Sequence, residues 1–313
     1  MQKIIEGVMK IFLKRVALLL VVNFLIMITI SFFCSVFKIA PFFTHYGINY
    51  YSLLFFCFMW GMSGAFISLF LSSHIAKWLM KVVIITENDV QYQNIFIIVK
   101  KLIEKSSLKF LPQIGVYQSN EVNAFATGPT KKKSLIALSS ALVDQMKEEE
   151  IMAIIGHEIS HIENGDMVTM TLLQGIINSF VMFLARVLAF AISGMSSKNE
   201  KSKGSNFLYY YLLVSFFDFI FMLLGYIILS FFSKKREFRA DKGGARLTTT
   251  DSMVNALSSL KIIINNQKKD KHMMMRKKDA FSYLKVCSYN KNGLKNIFST
   301  HPSLDDRIKQ LMK

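Results

Sequence analysis

Between residues 157 and 161 the chain reads His-Glu-Ile-Ser-His, two histidines four apart with a glutamate beside the first. On a helix, positions i and i+4 share one face a turn apart, so the His157 and His161 imidazoles can close on one zinc ion. Glu158 stands beside that face, where its carboxylate can take a proton from water acidified by the metal. Water made nucleophilic in this way hydrolyses an amide. The alternative is a helix carrying these residues by coincidence, but in a chain with 6 His among 313 residues the spacing is rare by chance. The flanks suit a helix: Glu148, Glu149 and Glu150 fall where acids favour the positive end of its dipole, and Gly165-Asp166 supplies a stop and a new N-cap. Lys147 stands where a Ser or Thr cap is expected, which costs about 1 kcal/mol of helix stability.

A third protein ligand is still needed. Asn164 and Met167 occupy the positions where Gly and His would complete the longer H-E-x-x-H-x-x-G-x-x-H pattern, so the ligand lies farther along. The best candidate is Glu237, within Arg236-Glu237-Phe238-Arg239-Ala240-Asp241; Asp241, one turn on, can receive the free ring N–H of a ligating histidine. A solvated helix of mixed charge accounts for these residues equally well.

The elements that must position these groups belong to a membrane protein. Hydrophobic residues make up 52 % of the chain and mean hydropathy is +0.35, too apolar for a protein without spans. The net charge of +17 asks for an anionic partner. With no nucleic-acid reader module in the sequence, that partner is the lipid headgroup layer beside an anchored domain. Cys34, Cys57 and Cys287 show no C-x-x-C spacing and are assigned to packing.

The expected fold is mainly α: four transmembrane helices plus a cytoplasmic α+β zincin-like metalloprotease domain with a small antiparallel sheet. Residues 1–81 form an N-terminal hairpin with spans at about 16–37 and 51–73, the first too long for a cleaved signal peptide. Residues 82–166 carry the first half of the protease domain, 167–233 a second membrane hairpin, and 234–313 the second half with the third ligand. Lys3, Lys10, Lys14 and Arg15 before the first span, with Lys77 and Lys81 after the second, put both ends in the cytoplasm. Lys198, Lys201 and Lys203 run against that bias but are outvoted, because the second hairpin must start and finish on the side holding both halves of the site. Within it, Arg186 and Asp218 differ by roughly 6 Å in height and are expected to pair; snorkelling of Arg186 to the interface is the alternative.

In the soluble part an amphipathic helix is expected over 94–109, with strands at 114–117, 122–126 and 134–138 and a turn at Thr127-Gly128-Pro129. Asn123, Ala124, Phe125 and Ala126 are the candidate edge strand, able to hold a peptide extended by main-chain hydrogen bonds. The basic, methionine-rich segment 266–279 suits a lipid surface, and a short helix closes the chain from Pro302.

In these features the chain resembles the HtpX family of bacterial membrane zinc metalloproteases, related to the eukaryotic CAAX prenyl proteases. The resemblance runs over nearly the whole length: two early spans, Asn123-Ala124-Phe125-Ala126-Thr127-Gly128, the motif continuing through Asp166-Met167-Val168-Thr169-Met170, a second hairpin, the Arg236 to Asp241 stretch and Thr300-His301-Pro302. It implies one zinc held by His157, His161 and Glu237, with Glu158 as the base, and His301 as a candidate oxyanion donor. It also implies quality control of misfolded or damaged membrane proteins from the cytoplasmic side of a bacterial inner membrane. The implied partners are polypeptide substrates and the bilayer, with no nucleic acid. An intramembrane protease conflicts with Lys147, the three glutamates and Glu163 on the motif helix. A membrane scaffold or chaperone with a structural zinc is the non-enzymatic alternative, although structural sites usually close four positions with Cys or His.

Overall fold

Long apolar stretches without a helix breaker dominate the architecture: none of the chain's 4 prolines falls within 50–80, 166–196 or 203–247. Each of these stretches folds as one helix. The computed structural model describes residues 49–196, 203–273 and 301–313, with side chains at 49–193, 208–267 and 301–313. In chain order the elements are α1 (Tyr50–Met80), β1 (Val83–Ile84), α2 (Gln93–Lys105), β2 (Gln113–Tyr117), β3 (Ala124–Thr127), β4 (Leu135–Ser139), α3 (Ser140–Gln145), α4 (Glu148–Asn164), α5 (Asp166–Ser196), α6 (Lys203–Leu247), α7 (Thr250–Met273) and α8 (Leu304–Leu311).

Three helices among the described residues are long and apolar enough to cross a membrane, at Tyr50–Met80, Asp166–Ser193 and Leu208–Leu247. The span expected at 16–37 lies outside the described residues, as do residues 274–279 of the basic segment, whose first part continues as helix to Met273. The span expected at 51–73 continues as helix to Met80. The chain divides into two compact units, one drawn from Met1–Ala65 and Leu172–Met222, the other from Phe66–Thr171 and Leu223–Lys313.

In the first unit, Tyr50, Leu54 and Cys57 of α1 pack with Phe183 and Val187 of α5. Small residues let the two backbones approach: a Cβ on Gly61 would come within 2.4 Å of Ser179 Oγ. The expected Arg186–Asp218 ion pair is not formed. Arg186 Nη1 donates instead to the Met182 carbonyl at 3.0 Å, one turn back in its own helix, while Asp218 Oδ1 is buried without a hydrogen-bond partner. The two charges still act on one another, so they share a neighbourhood without closing to a salt bridge.

In the second unit the sheet order is β1-β2-β4-β3. The β3–β4 hairpin is antiparallel, as its polar turn predicts, but β4 runs parallel to β2, so the sheet is mixed and not antiparallel. Alternation specifies which face of a strand is buried, not which strand lies beside it. Gly128 in the hairpin turn has φ 137, where a side chain is disfavoured, and a Cβ there would meet the Lys133 carbonyl at 2.3 Å. Ile95, Ile98 and Leu102 of α2 bury against Ile154 and Ile159 of α4 in the main core. That helix stops at Lys105, short of the expected 109, because the Ser106 N–H and hydroxyl both turn back onto the Ile103 carbonyl.

Two features of α6 place the third candidate ligand. The helix runs 45 residues without a break at 234, since Lys234-Lys235-Arg236-Glu237-Phe238-Arg239-Ala240 contains only residues compatible with helix. Glu237 and Asp241 therefore ride on the same rod as the apolar segment before them. Farther along, Gly243 and Gly244 lie against Gly156 and Ser160 of α4. A Cβ on Gly243 would fall 2.0 Å from Ser160 Oγ and 2.6 Å from its Cβ. Gly243→Ala is therefore expected to cost about 1–3 kcal/mol by overpacking, read as a lower thermal midpoint. Ser160→Gly in the same chain should recover most of the loss; a Gly243→Ala protein as stable as the parent would show that the helices are not in this contact.

Candidate metal centre

Helix α4 is fastened at both ends. Lys147 is its N-cap, and the Glu150 carboxylate accepts the Lys147 backbone N–H at 3.1 Å and the Ser259 hydroxyl at 2.6 Å. Half of a capping box thus stands in for the missing Ser or Thr and ties the helix start to α7. At the other end Gly165 takes the left-handed conformation, φ 64 and ψ 35, and bonds back to Ile162. Between them, His157, Glu158 and His161 are all buried, as is Glu237 on α6.

The two imidazoles point at each other. His157 Nε2 lies 3.1 Å from His161 Nε2, and Glu237 closes a triangle with Oε2 3.6 Å from His157 Nε2 and Oε1 3.4 Å from His161 Nε2. Each ring uses its other nitrogen on a carboxylate: His157 Nδ1 meets Asp241 Oδ1 at 2.9 Å and His161 Nδ1 meets Asp166 Oδ2 at 2.8 Å. With the Nδ1 protons given to those carboxylates, each Nε2 can turn a lone pair inward once it has released any proton of its own. Glu237, 1 % exposed as a side chain, sets its carboxylate among these rings. Two ring nitrogens and a carboxylate oxygen gathered in this way can hold a cation. For tetrahedral zinc with bonds of 2.0–2.1 Å, ligand atoms sit roughly 3.3 Å apart, close to the three separations found. His157, His161 and Glu237 are the group among the described residues able to hold a metal ion, and zinc fits their chemistry and spacing.

Outside the ligands lies a layer only partly foreseen. The Asp241 role as acceptor for a histidine ring was expected. Asp166 was read only as an N-cap, yet its carboxylate binds His161 and, on the other oxygen, Arg239. The signal was present in the sequence: a left-handed glycine reverses the chain, and the residue after it swings back over the last turn of the preceding helix. Arg307 was missed altogether. Fully buried on α8, it donates to Asp241 through Nε at 2.8 Å and Nη2 at 2.5 Å. Nothing in local patterning marks a residue whose partner lies 66 positions away.

These contacts fix the protonation states. Burial alone would lower the His157 pKa, but the bonds to Asp241 and Glu237 prevail and hold it at about 9. Burial raises Asp241, and the Arg307 charge outweighs that, drawing it down to about 2. For Glu237 burial is again opposed, by His301, His157 and His161, which hold the carboxyl well below its usual range.

His301, in the turn before α8, reaches the same centre, with Nδ1 3.1 Å from Glu237 Oε2. The final helix begins at Leu304 with Ser303 as its cap, two residues beyond the expected start at Pro302. Among the described residues strand β3 pairs with β4 alone and ends the sheet, and the metal helix α4 packs against it. Of the expected edge residues, Asn123 precedes the strand and is tied down: its N–H donates to Ser139 Oγ at 3.0 Å and its side-chain amide to Tyr117 Oη at 3.0 Å. Ala124 and Phe125 are buried, and Ala126 is half-buried. Burial pushes the Tyr117 hydroxyl up to about 12, reinforced by the Glu121 and Glu158 charges against the Asn123 bond, so it stays protonated.

Comparison with known proteins gives the family and a fold likeness. The profile described as peptidase family M48 matches residues 90–313. A protein named Protease HtpX homolog from Methylacidiphilum infernorum is 36 % identical over 299 residues, covering 95 % of this chain and 98 % of its own. Protease HtpX from Hahella chejuensis is 37 % identical over 298 residues with the same coverage, 95 % and 98 %. In structure the chain is similar to the crystal structure of S. mikatae Ste24p, with a TM-score of 0.58 at 17 % identity over 94 % of this chain and 67 % of that one. That likeness speaks to the fold alone.

Two outcomes follow for metal binding. Asp241→Asn frees the His157 ring and is expected to weaken zinc affinity by about 10- to 100-fold; chelator competition measures it, and unchanged affinity would refute the tethering role. A ring that keeps its proton up to about 9 must release it to bind a cation. Zinc affinity should therefore rise with pH through neutrality and level off above about 9, whereas a flat profile would show that His157 does not bind the metal.

Proposed function

The chain belongs to peptidase family M48 and is a membrane metalloprotease, and we propose that it is a zinc endopeptidase cleaving misfolded or damaged membrane proteins at the cytoplasmic face of a bacterial inner membrane. The observation that carries this reading is the facing pair of Nε2 atoms, 3.1 Å apart, completed by the buried Glu237 carboxylate. Zinc bound there supplies Lewis acidity, polarising the scissile carbonyl and making water acidic enough to attack near neutral pH. His157, His161 and Glu237 hold the ion, and Asp241 and Asp166 keep the two rings in the tautomer that allows it.

Glu158 follows His157 directly on α4 and is the general base: its carboxylate takes the proton of the attacking water, then returns it to the departing amine. His301, placed within the centre by its approach to Glu237, serves as donor to the oxyanion that develops on the carbonyl. The substrate lies extended along the open edge of β3, held by main-chain hydrogen bonds that are indifferent to its sequence. Such indifference suits a protease that meets many damaged polypeptides.

The orientation rests on charge. Lys77 and Lys81 follow the apolar part of α1, and Lys234, Lys235 and Arg236 follow that of α6, each run leading into the half that holds the site. A scaffold with a structural zinc would have no use for a base beside an incomplete ligand set. In Glu158→Gln, zinc content should be retained while cleavage of casein or a membrane substrate falls by at least about 100-fold. Turnover comparable to the parent protein, or cleavage indifferent to chelator, would remove the proposed mechanism.

A further inference from the structure

The loop between α2 and β2, residues 106–112, exposes two large apolar side chains in succession, with Phe110 49 % and Leu111 42 % accessible. Its neighbours Leu108 and Pro112 are buried, so the loop already has its own core contacts and the outward pair is surplus to them. Lys109 precedes the pair. From the β3–β4 turn, Lys132 sets its ammonium 5.4 Å from the Phe110 ring centroid, with Lys133 exposed beside it. Neither 106–112 nor 128–134 contains an acid. The acid nearest in the bonding pattern, Glu163, is committed: its carboxylate accepts the Ser107 N–H at 2.5 Å and Arg246 Nη2 at 2.6 Å, and its carbonyl accepts Lys131 at 2.5 Å.

This basic and apolar tip stands beside the ends of two membrane helices. Lys77, in the last turn of α1, donates to the Gln113 side chain at 3.3 Å, at the first residue of β2. Glu163, which holds Ser107 and Lys131, lies three residues before Asp166, the first residue of α5. Both loops are thus tied to the places where the chain passes from span to soluble domain.

We propose that Phe110 and Leu111, with Lys109, Lys132 and Lys133, form a docking surface for anionic lipid headgroups. The two apolar side chains enter the headgroup boundary, where an aromatic ring beside lysines is favoured, and the ammonium groups bind phosphate. Each lysine biases the docked state by roughly fivefold on an acidic leaflet. An acidic peptide could use the lysines, but it would gain nothing from a solvent-facing Phe110-Leu111 pair, which is why a lipid surface is the favoured occupant. Docking here fixes the attitude of the soluble half toward the bilayer. The inference does not depend on the proteolytic reading.

The test uses the full chain with Cys34, Cys57 and Cys287 replaced by Ala and a Leu111→Cys site carrying an environment-sensitive fluorophore. The protein is reconstituted in phosphatidylcholine vesicles with or without phosphatidylglycerol. A blue shift and quenching by nitroxide lipids in the anionic vesicles, reversed by salt and absent in Lys109→Glu/Lys132→Glu/Lys133→Glu, supports the proposal. Solvent-like emission in both vesicles overturns it. Hydrogen exchange of 106–113 in the unmodified chain, in nanodiscs of the same two compositions, reads the same docking without cysteine replacement: slowing only in the anionic discs supports it, and equal rates overturn it. If the triple variant selectively loses cleavage of acidic peptides in a zwitterionic detergent while lipid-dependent burial is unaffected, the lysines read substrate and the lipid assignment falls.

Discussion

Two imidazole nitrogens turned toward each other at 3.1 Å inside a protein repel as lone pairs unless a proton or a metal ion lies between them. Most of what surrounds the centre follows from sustaining that arrangement. Each ring must give its other nitrogen to an acceptor, and Asp241 and Asp166 are those acceptors. A buried carboxylate is itself costly, so each is answered by an arginine, Arg307 for Asp241 and Arg239 for Asp166. The charges alternate outward from the metal position in two chains, one wholly buried and one ending at an exposed guanidinium. Removing a member leaves the next one inward without its counter-charge, so errors in the outer layer are felt at the ligands.

Those chains also explain why elements distant in sequence must meet. Glu237 comes from α6, Asp166 from the start of α5 and Arg307 from the terminal helix, while both histidines come from α4. The close approach of α4 and α6 is permitted by glycines at 156, 243 and 244, which bring a carboxylate on one helix within reach of imidazoles on the other. At Gly243 the alternative is a direct collision with Ser160. Backbone proximity, rather than a long flexible side chain, sets the distance between ligands here.

What could be read from the sequence divides along physical lines. His157, Glu158 and His161 were legible because helical spacing is local, and Glu237 with Asp241 because their four-residue separation repeats that logic. The three apolar helices among the described residues were legible because length and apolarity suffice. The parallel pairing of β2 with β4 was not, since partner choice is a property of the whole sheet. Arg307 arises from a tertiary contact with no local trace, whereas the role of Asp166 rests on a contact only five residues long, and comparable depth brought Arg186 and Asp218 into one neighbourhood without closing a salt bridge. The sequence was divided at 233, where apolar residues give way to charged ones, yet α6 continues through 234. Propensity permits the change without a break.

That continuity alters how the centre is assembled. The ligand Glu237 sits on a helix whose preceding residues are apolar over more than a span, and the acceptor for His161 is the first residue of another such helix. The candidate site therefore draws on the ends of α5 and α6 as well as on α4: one candidate ligand and one orienting carboxylate come from helices that continue into apolar segments. A domain cut away from α5 and α6 would keep the H-E-x-x-H helix and lose both. The candidate metal residues are split by an apolar excursion because each of the two long helices runs unbroken between its apolar segment and its site residue.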